Sequence, residues 1–172
     1  LGGFDIFVAN VSALALGMDE DSWRRGFNVD VMATVFGCEA AIPFLEKSSG
    51  GAIVVVGSTA MAENFAPNRA YASVKAAIVP YVKGLARNLA AKNVRANLVS
   101  PGNIYFKGGT WGNMEENNPV QFKAMLARNP TGRMGTPQEV ANAVVFLASP
   151  RSGFTTGANL IIDGALTQRV QY

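Results

Sequence analysis

The run Ala52-Ile-Val-Val-Val56 is aliphatic at every position and stops at Gly57-Ser58-Thr59. A strand with one wet face would alternate polar and apolar residues; a continuous aliphatic run needs cover on both faces. Three more short runs fit beside it. They are Phe4 to Val8, Val94 to Val99 (stopped by Pro101-Gly102) and Leu160 to Ile162 (before Asp163-Gly164). Helical patterns lie between them, at Trp23 to Leu45 after the helix-start residues Asp19 to Ser22, at Arg69 to Ala91, at Pro119 to Asn129, and from Thr136-Pro137 to Ala148. Thr136 and Glu139 have capping-box spacing, with Pro137 at the first helical position. Pro43 is expected in a kink or last turn of its helix. Ser48 to Gly51 and the segment holding Pro67 read as loops, and Asn103 to Asn118 as a loop or a mobile short helix.

Strands alternating with helices argue for an α/β chain: a doubly wound, Rossmann-like parallel sheet, here incomplete, with four strands and flanking helices. The 172 residues suit one domain, 1–172. In such sheets ligands sit at the carboxyl ends of the strands. Asn10, Ser12, Ser58, Pro101 and Gly102 fall there, which marks the expected site.

Composition removes several classes of function. Fifteen basic and twelve acidic side chains leave a charge of +3 with no basic block, so no nucleic-acid partner is expected. No apolar run approaches a membrane span and no signal peptide opens the chain, so no membrane association is expected. One cysteine, Cys38, and no histidine deprive zinc sites and histidine triads of their usual groups. A lone cysteine fits a reducing, cytoplasmic setting. The sequon Asn10-Val11-Ser12 is then accidental. Acid–base chemistry is left to Tyr, Lys, Asp or Glu.

The spacing Tyr71-Ala-Ser-Val-Lys75 puts a phenol and an ammonium on one helix face. The ammonium is expected to pull the phenol below its usual pKa of about 10, which makes it a general acid or base. Taken alone, such a pair is more often a solvated helix face. Ser58, at the end of a buried strand thirteen residues earlier, could meet the phenol and hydrogen-bond a substrate oxygen, although serine is also a common turn residue.

Ser58 with Tyr71-x-x-x-Lys75 resembles the core of the short-chain dehydrogenase/reductase family. Asn28, in Phe27-Asn28-Val29, looks like the asparagine of that family's tetrad. Pro101-Gly102, Gly132 to Ala141, Phe146 to Ser149 and Thr156-Gly157 to Asp163-Gly164 resemble its later segments, in order. The resemblance implies hydride transfer between NAD or NADP and a small carbonyl or alcohol substrate. Tyr71 would be the acid/base. Lys75 would tune it and hold the ribose, Ser58 would orient the substrate oxygen, and Asn28 would hold a relay water. Asn10 would lie by the adenosine ribose, with Pro101, Gly102 and Ile104 at the nicotinamide. Trp111, Phe122 and Met125 would line the substrate pocket.

The chain also departs from the family pattern. The family's glycine-rich, phosphate-binding turn has no counterpart, so NAD cannot be told from NADP and material upstream of Leu1 is expected. The usual Asn-Asn-Ala-Gly is Ala9-Asn10-Val11-Ser12, and Phe106 replaces a hydroxyl residue. With no neighbour on its outer side, the strand Phe4 to Val8 would favour poor solubility or self-association. The resemblance also implies a homodimer or homotetramer that pairs the two long helices, where Ala40, Ala41, Ala72, Ala76 and Ala77 would allow close approach unless they pack on the sheet instead. A truncated or degenerate homologue, acting as a binding or structural module, is the alternative.

Overall fold

A computed structural model describes residues 2–63 and 69–170; Pro67 lies outside the described residues. Four strands, β1 (Ile6–Ala9), β2 (Gly51–Val56), β3 (Val94–Pro101) and β4 (Asn159–Ile162), form one parallel sheet in the order β1-β2-β3-β4. The register pairs Val8 with Val54, Val54 with Asn97, and Val99 with Leu160. All four carboxyl ends therefore open on one edge of the sheet.

Between β1 and β2 runs one long helical stretch. It comprises α1 (Glu20–Gly26), a π-helical turn (Phe27–Met32) and α2 (Ala33–Leu45), with Pro43 inside its last turns. Asp19 caps its start, accepting from Ser22 N. Helix α3 (Arg69–Leu89) joins β2 to β3, and α4 (Thr110–Asn117), α5 (Pro119–Leu126) and α6 (Pro137–Ala148) lie between β3 and β4. Of the two readings of Asn103 to Asn118, a loop or a short helix, α4 realises the second over Thr110–Asn117. The segment's glycines stand mostly before the helix, where Gly108 takes φ +77°, and Thr110 to Asn117 then wind regularly.

The wholly aliphatic β2 is buried, as its composition required. On one face Ile53, Val55, Ala96 and Leu98 pack against Cys38, Ala41 and Leu45 of α2 and Ile78, Val82 and Leu85 of α3. On the other, Val54 and Val99 meet Ala143 and Leu147 of α6. The capping box of α6 forms as its spacing predicted. At the other end of α6 the Arg95 guanidinium donates to the carbonyls of Leu147, Ala148 and Ser149 at 2.6, 3.1 and 3.2 Å. These are the carbonyls a helix end leaves without partners.

The expectation that no apolar run reaches membrane length is also corrected. The continuous run Glu20–Leu45 is long and apolar enough to cross a membrane by length and composition. It packs one face on the sheet and leaves Phe27, Phe36 and Phe44 half exposed or more on the outside, so both sides are apolar.

Candidate active site

The end of β2, the loop after β1, α3 and the π turn converge on one cluster. Ser58 stands after Gly57, just past the end of β2, and is extended, and its hydroxyl accepts from Ala60 N at 3.1 Å. Tyr71 and Lys75 stand one turn apart in α3, with Lys75 Nζ 5.9 Å from the centre of the Tyr71 ring. Tyr71 and Ser58 share a side-chain hydrogen bond. The sheet edge and the helical spacing thus bring Ser58, Tyr71 and Lys75 together as the sequence indicated.

Asn28 does not join them. Its side chain is exposed, and the group that reaches the cluster is Asp30, two residues on. Asp30 is completely buried. Its Oδ1 lies 3.0 Å from Lys75 Nζ, both side chains being almost wholly excluded from solvent, and its Oδ2 accepts from Ala13 N at 3.0 Å. Lys75 Nζ also donates to the Val56 carbonyl at 3.4 Å. The loop after β1, where Leu14 takes φ +45° and Ser12 Oγ accepts from Leu14 N, is tied to the cluster through the Ala13 bond.

The electrostatics run against the expectation that Lys75 acidifies the phenol. Burial pushes the Tyr71 pKa above its ordinary value; the Ser58 hydrogen bond works against this, and the Asp30 charge adds to it. The ammonium that was to stabilise a phenolate is paired with a carboxylate instead. A signal for Asp30 existed in the sequence. It is an acid in an apolar helix with neither Lys nor Arg three or four residues away on either side, so its partner had to come from elsewhere in the chain.

The cofactor-side residues lie around the same edge. Asn10 is exposed just past β1. Pro101 ends β3, and Gly102 N donates to Ile162 O at 2.9 Å. A Cβ on Gly102 would stand 2.6 Å from Asp163 Cβ, so the glycine is required where β3 and β4 end side by side. Ile104 is half-buried and pairs with Gly135 in an isolated bridge. Of the residues expected to line a substrate pocket, Phe122 is buried and packs edge-on against Tyr105 at 6.1 Å, while Trp111 and Met125 are half-buried.

A family model described as enoyl-(acyl carrier protein) reductase matches residues 1–167. The isoepoxydon dehydrogenase of Penicillium expansum is 37% identical over 173 residues, which cover 100% of this chain and 67% of that protein. An oxidoreductase of the short-chain dehydrogenase/reductase family from Burkholderia thailandensis superposes with a TM-score of 0.86 at 32% identity, over 94% of this chain and 64% of that one. This chain belongs to the short-chain dehydrogenase/reductase family. A further short-chain oxidoreductase, from Pseudomonas aeruginosa, was solved with NADPH bound and described as having an atypical catalytic centre. It superposes with a TM-score of 0.85 at 30% identity, over 99% of this chain and 68% of that one. The chain spans about two thirds of the length of these relatives.

Short-chain dehydrogenases/reductases are NAD(P)-dependent oxidoreductases, and the donors at this sheet edge suit the nicotinamide end of such a cofactor. A buried ammonium and a phenol can hold sugar hydroxyls, and backbone groups at the Pro101–Ile104 turn can meet a carboxamide.

Proposed function

We propose that this short-chain dehydrogenase/reductase interconverts a small carbonyl and its alcohol with Tyr71 as the general acid and base. What carries the reading is the convergence of Tyr71, Ser58 and Lys75 at the carboxyl end of β2. NAD or NADP, when bound, supplies or receives the hydride. Lys75 and Tyr71 hold it at the ribose, Asn10 at the adenosine side, and Pro101, Gly102 and Ile104 at the nicotinamide. Ser58 hydrogen-bonds the substrate oxygen and steadies the charge that develops there. Tyr71 gives that oxygen its proton in reduction and takes it back in oxidation.

The family placement disfavours the alternative of a catalytically silent module. The substrate class we infer is a compact, ring-bearing alcohol or ketone. The half-buried Trp111 and Met125 offer apolar surface, and a similar protein of Sinomonas cyclohexanicum is named trans-4-hydroxycyclohexanecarboxylate dehydrogenase. We further propose a homodimer or homotetramer formed through α2 and α3. Exposed Phe36 and Phe27 support it. The small residues proposed for close approach divide: Ala41 and Ala72 are spent on the core, while Ala40 and Ala77 stay exposed. A cytoplasmic setting accords with the single buried thiol of Cys38.

The test is carbonyl reduction by the full-length protein, followed by NAD(P)H absorbance. Tyr71→Phe is expected to lower kcat by about 10² to 10⁴ with the fold intact by circular dichroism. A Tyr71→Phe enzyme that keeps more than roughly a tenth of kcat, well short of that range, refutes the assignment.

A further inference from the structure

Asp30 is the one member of the cluster that neither the sequence motif nor the family resemblance supplied. It is wholly buried, fixed from one side by Ala13 N–H at 3.0 Å, and it holds Lys75 Nζ at 3.0 Å from the other. Lys75 Nζ also donates to Val56 O. Among the described residues, the charged groups that face Tyr71 from the packed elements are Lys75 on α3 and Asp30 on the π turn; the end of β2 brings only uncharged Ser58. An ammonium and a carboxylate in contact act at a distance as a dipole, so a third group feels far less than the field of either charge.

We propose, resting on Tyr71 as the acid and base, that Asp30 is a positioning residue: it draws the Lys75 ammonium onto itself, screens that charge from Tyr71, and keeps the Tyr71 hydroxyl a proton donor through neutral pH. The site is thereby set for carbonyl reduction at neutral pH, because a protonated phenol can give the proton that the substrate oxygen needs. Alcohol oxidation requires the phenolate and is deferred to alkaline pH. A neutral side chain at position 30 would free the ammonium to favour the phenolate. Asparagine is the natural probe, since it keeps the shape and still offers an oxygen to Ala13 N–H.

The experiment is a ¹³C NMR titration of the full-length protein labelled at tyrosine Cζ, with Tyr71 assigned by its loss in Tyr71→Phe. In Asp30→Asn the ratio of Tyr71 phenolate to phenol at a given pH is expected to rise about tenfold, a downward shift on the order of one pH unit. Asp30→Glu, which keeps the charge, is expected to stay near the parent. If Asp30→Asn does not fold, Asp30→Ser is also uncharged and is expected to move the phenolate fraction the same way. A phenolate-to-phenol ratio unchanged within about twofold in a folded, uncharged variant overturns the proposal. The titration uses no substrate, so it can fail while Tyr71 remains the acid. Conversely, Tyr71→Phe can leave turnover intact while the titration succeeds.

Discussion

Lys75→Met would leave the Asp30 carboxylate buried without its counter-charge. The two charges are 3.0 Å apart and both side chains are almost fully excluded from water. At an effective dielectric constant of about 20 their attraction is roughly 5 kcal/mol. What remains for Asp30 is a single hydrogen bond from Ala13 N, which does not replace solvation of a full charge. Breaking a buried pair from one side costs about 3–5 kcal/mol, a large part of the roughly 5–15 kcal/mol that holds a domain folded. Urea unfolding followed by circular dichroism at pH 7, extrapolated linearly, measures that loss. The double variant Asp30→Asn with Lys75→Met removes both charges and keeps an acceptor for Ala13, so it should recover at least about 2 kcal/mol of the single variant's deficit. If Lys75→Met is within about 1 kcal/mol of the parent, or the double variant is no more stable than Lys75→Met, the pair does not carry the energy assigned to it.

Three further outcomes follow from contacts outside the pair. Arg95→Leu strips three carbonyls at the end of α6 of their donor and should cost about 2 kcal/mol by thermal or urea unfolding; a change under about 0.5 kcal/mol would show that water replaces the guanidinium. Gly102→Ala places a methyl 2.6 Å from Asp163 Cβ and 3.0 Å from its Cα, a backbone-bound clash worth about 1–3 kcal/mol, readable as a lowered melting temperature. Burial raises the Cys38 thiol from 9.0 to about 12. The folded state therefore keeps a proton that the unfolded chain releases, and stability that is full below pH 9 declines as pH climbs toward 12. Urea midpoints measured at pH 8, 9 and 10 should fall with pH in the parent and fall less steeply in Cys38→Ala, and equal slopes would contradict this.

Much of the fold was legible because it rests on patterns with one physical solution. The aliphatic run at Ala52 to Val56 had to be sandwiched, and it is, between α2 and α3 on one face and α6 on the other. Thr136, Pro137 and Glu139 started α6 where their spacing said. Over Asn103 to Asn118 the choice between a loop and a short helix stayed open because Gly108, Gly109 and Gly112 weigh against a helix in propensity, whereas only Gly112 lies inside α4. The site was legible at Ser58, Tyr71 and Lys75, whose placement follows from a strand end and from helical spacing. It was not legible at Asn28 and Asp30, where the choice between two polar residues depends on which one the helix turns inward.

That choice is made by the π turn. The buried residues of the long helical stretch include Ser22, Gly26, Asp30, Thr34 and Cys38, a strict four-residue spacing, followed by Ala41 and Leu45. An α-helix turns about 100° per residue, so a four-residue step overshoots one turn by about 40° and four such steps by about 160°. A regular helix would carry the start of that stripe to the opposite side from its end. The bond from Ala33 N to Asn28 O, spanning five residues, opens a wider turn that takes back part of the overshoot. It keeps Asp30 on the buried line with Gly26 and Thr34, and Thr34 Oγ1, from the start of α2, donates to the Asp30 carbonyl at 2.7 Å. Asn28, two positions earlier, is rotated into solvent by the same geometry. The identity of the acid beside Lys75 is thus a matter of helical phase, and phase at this point is set by a hydrogen bond that local propensity does not encode.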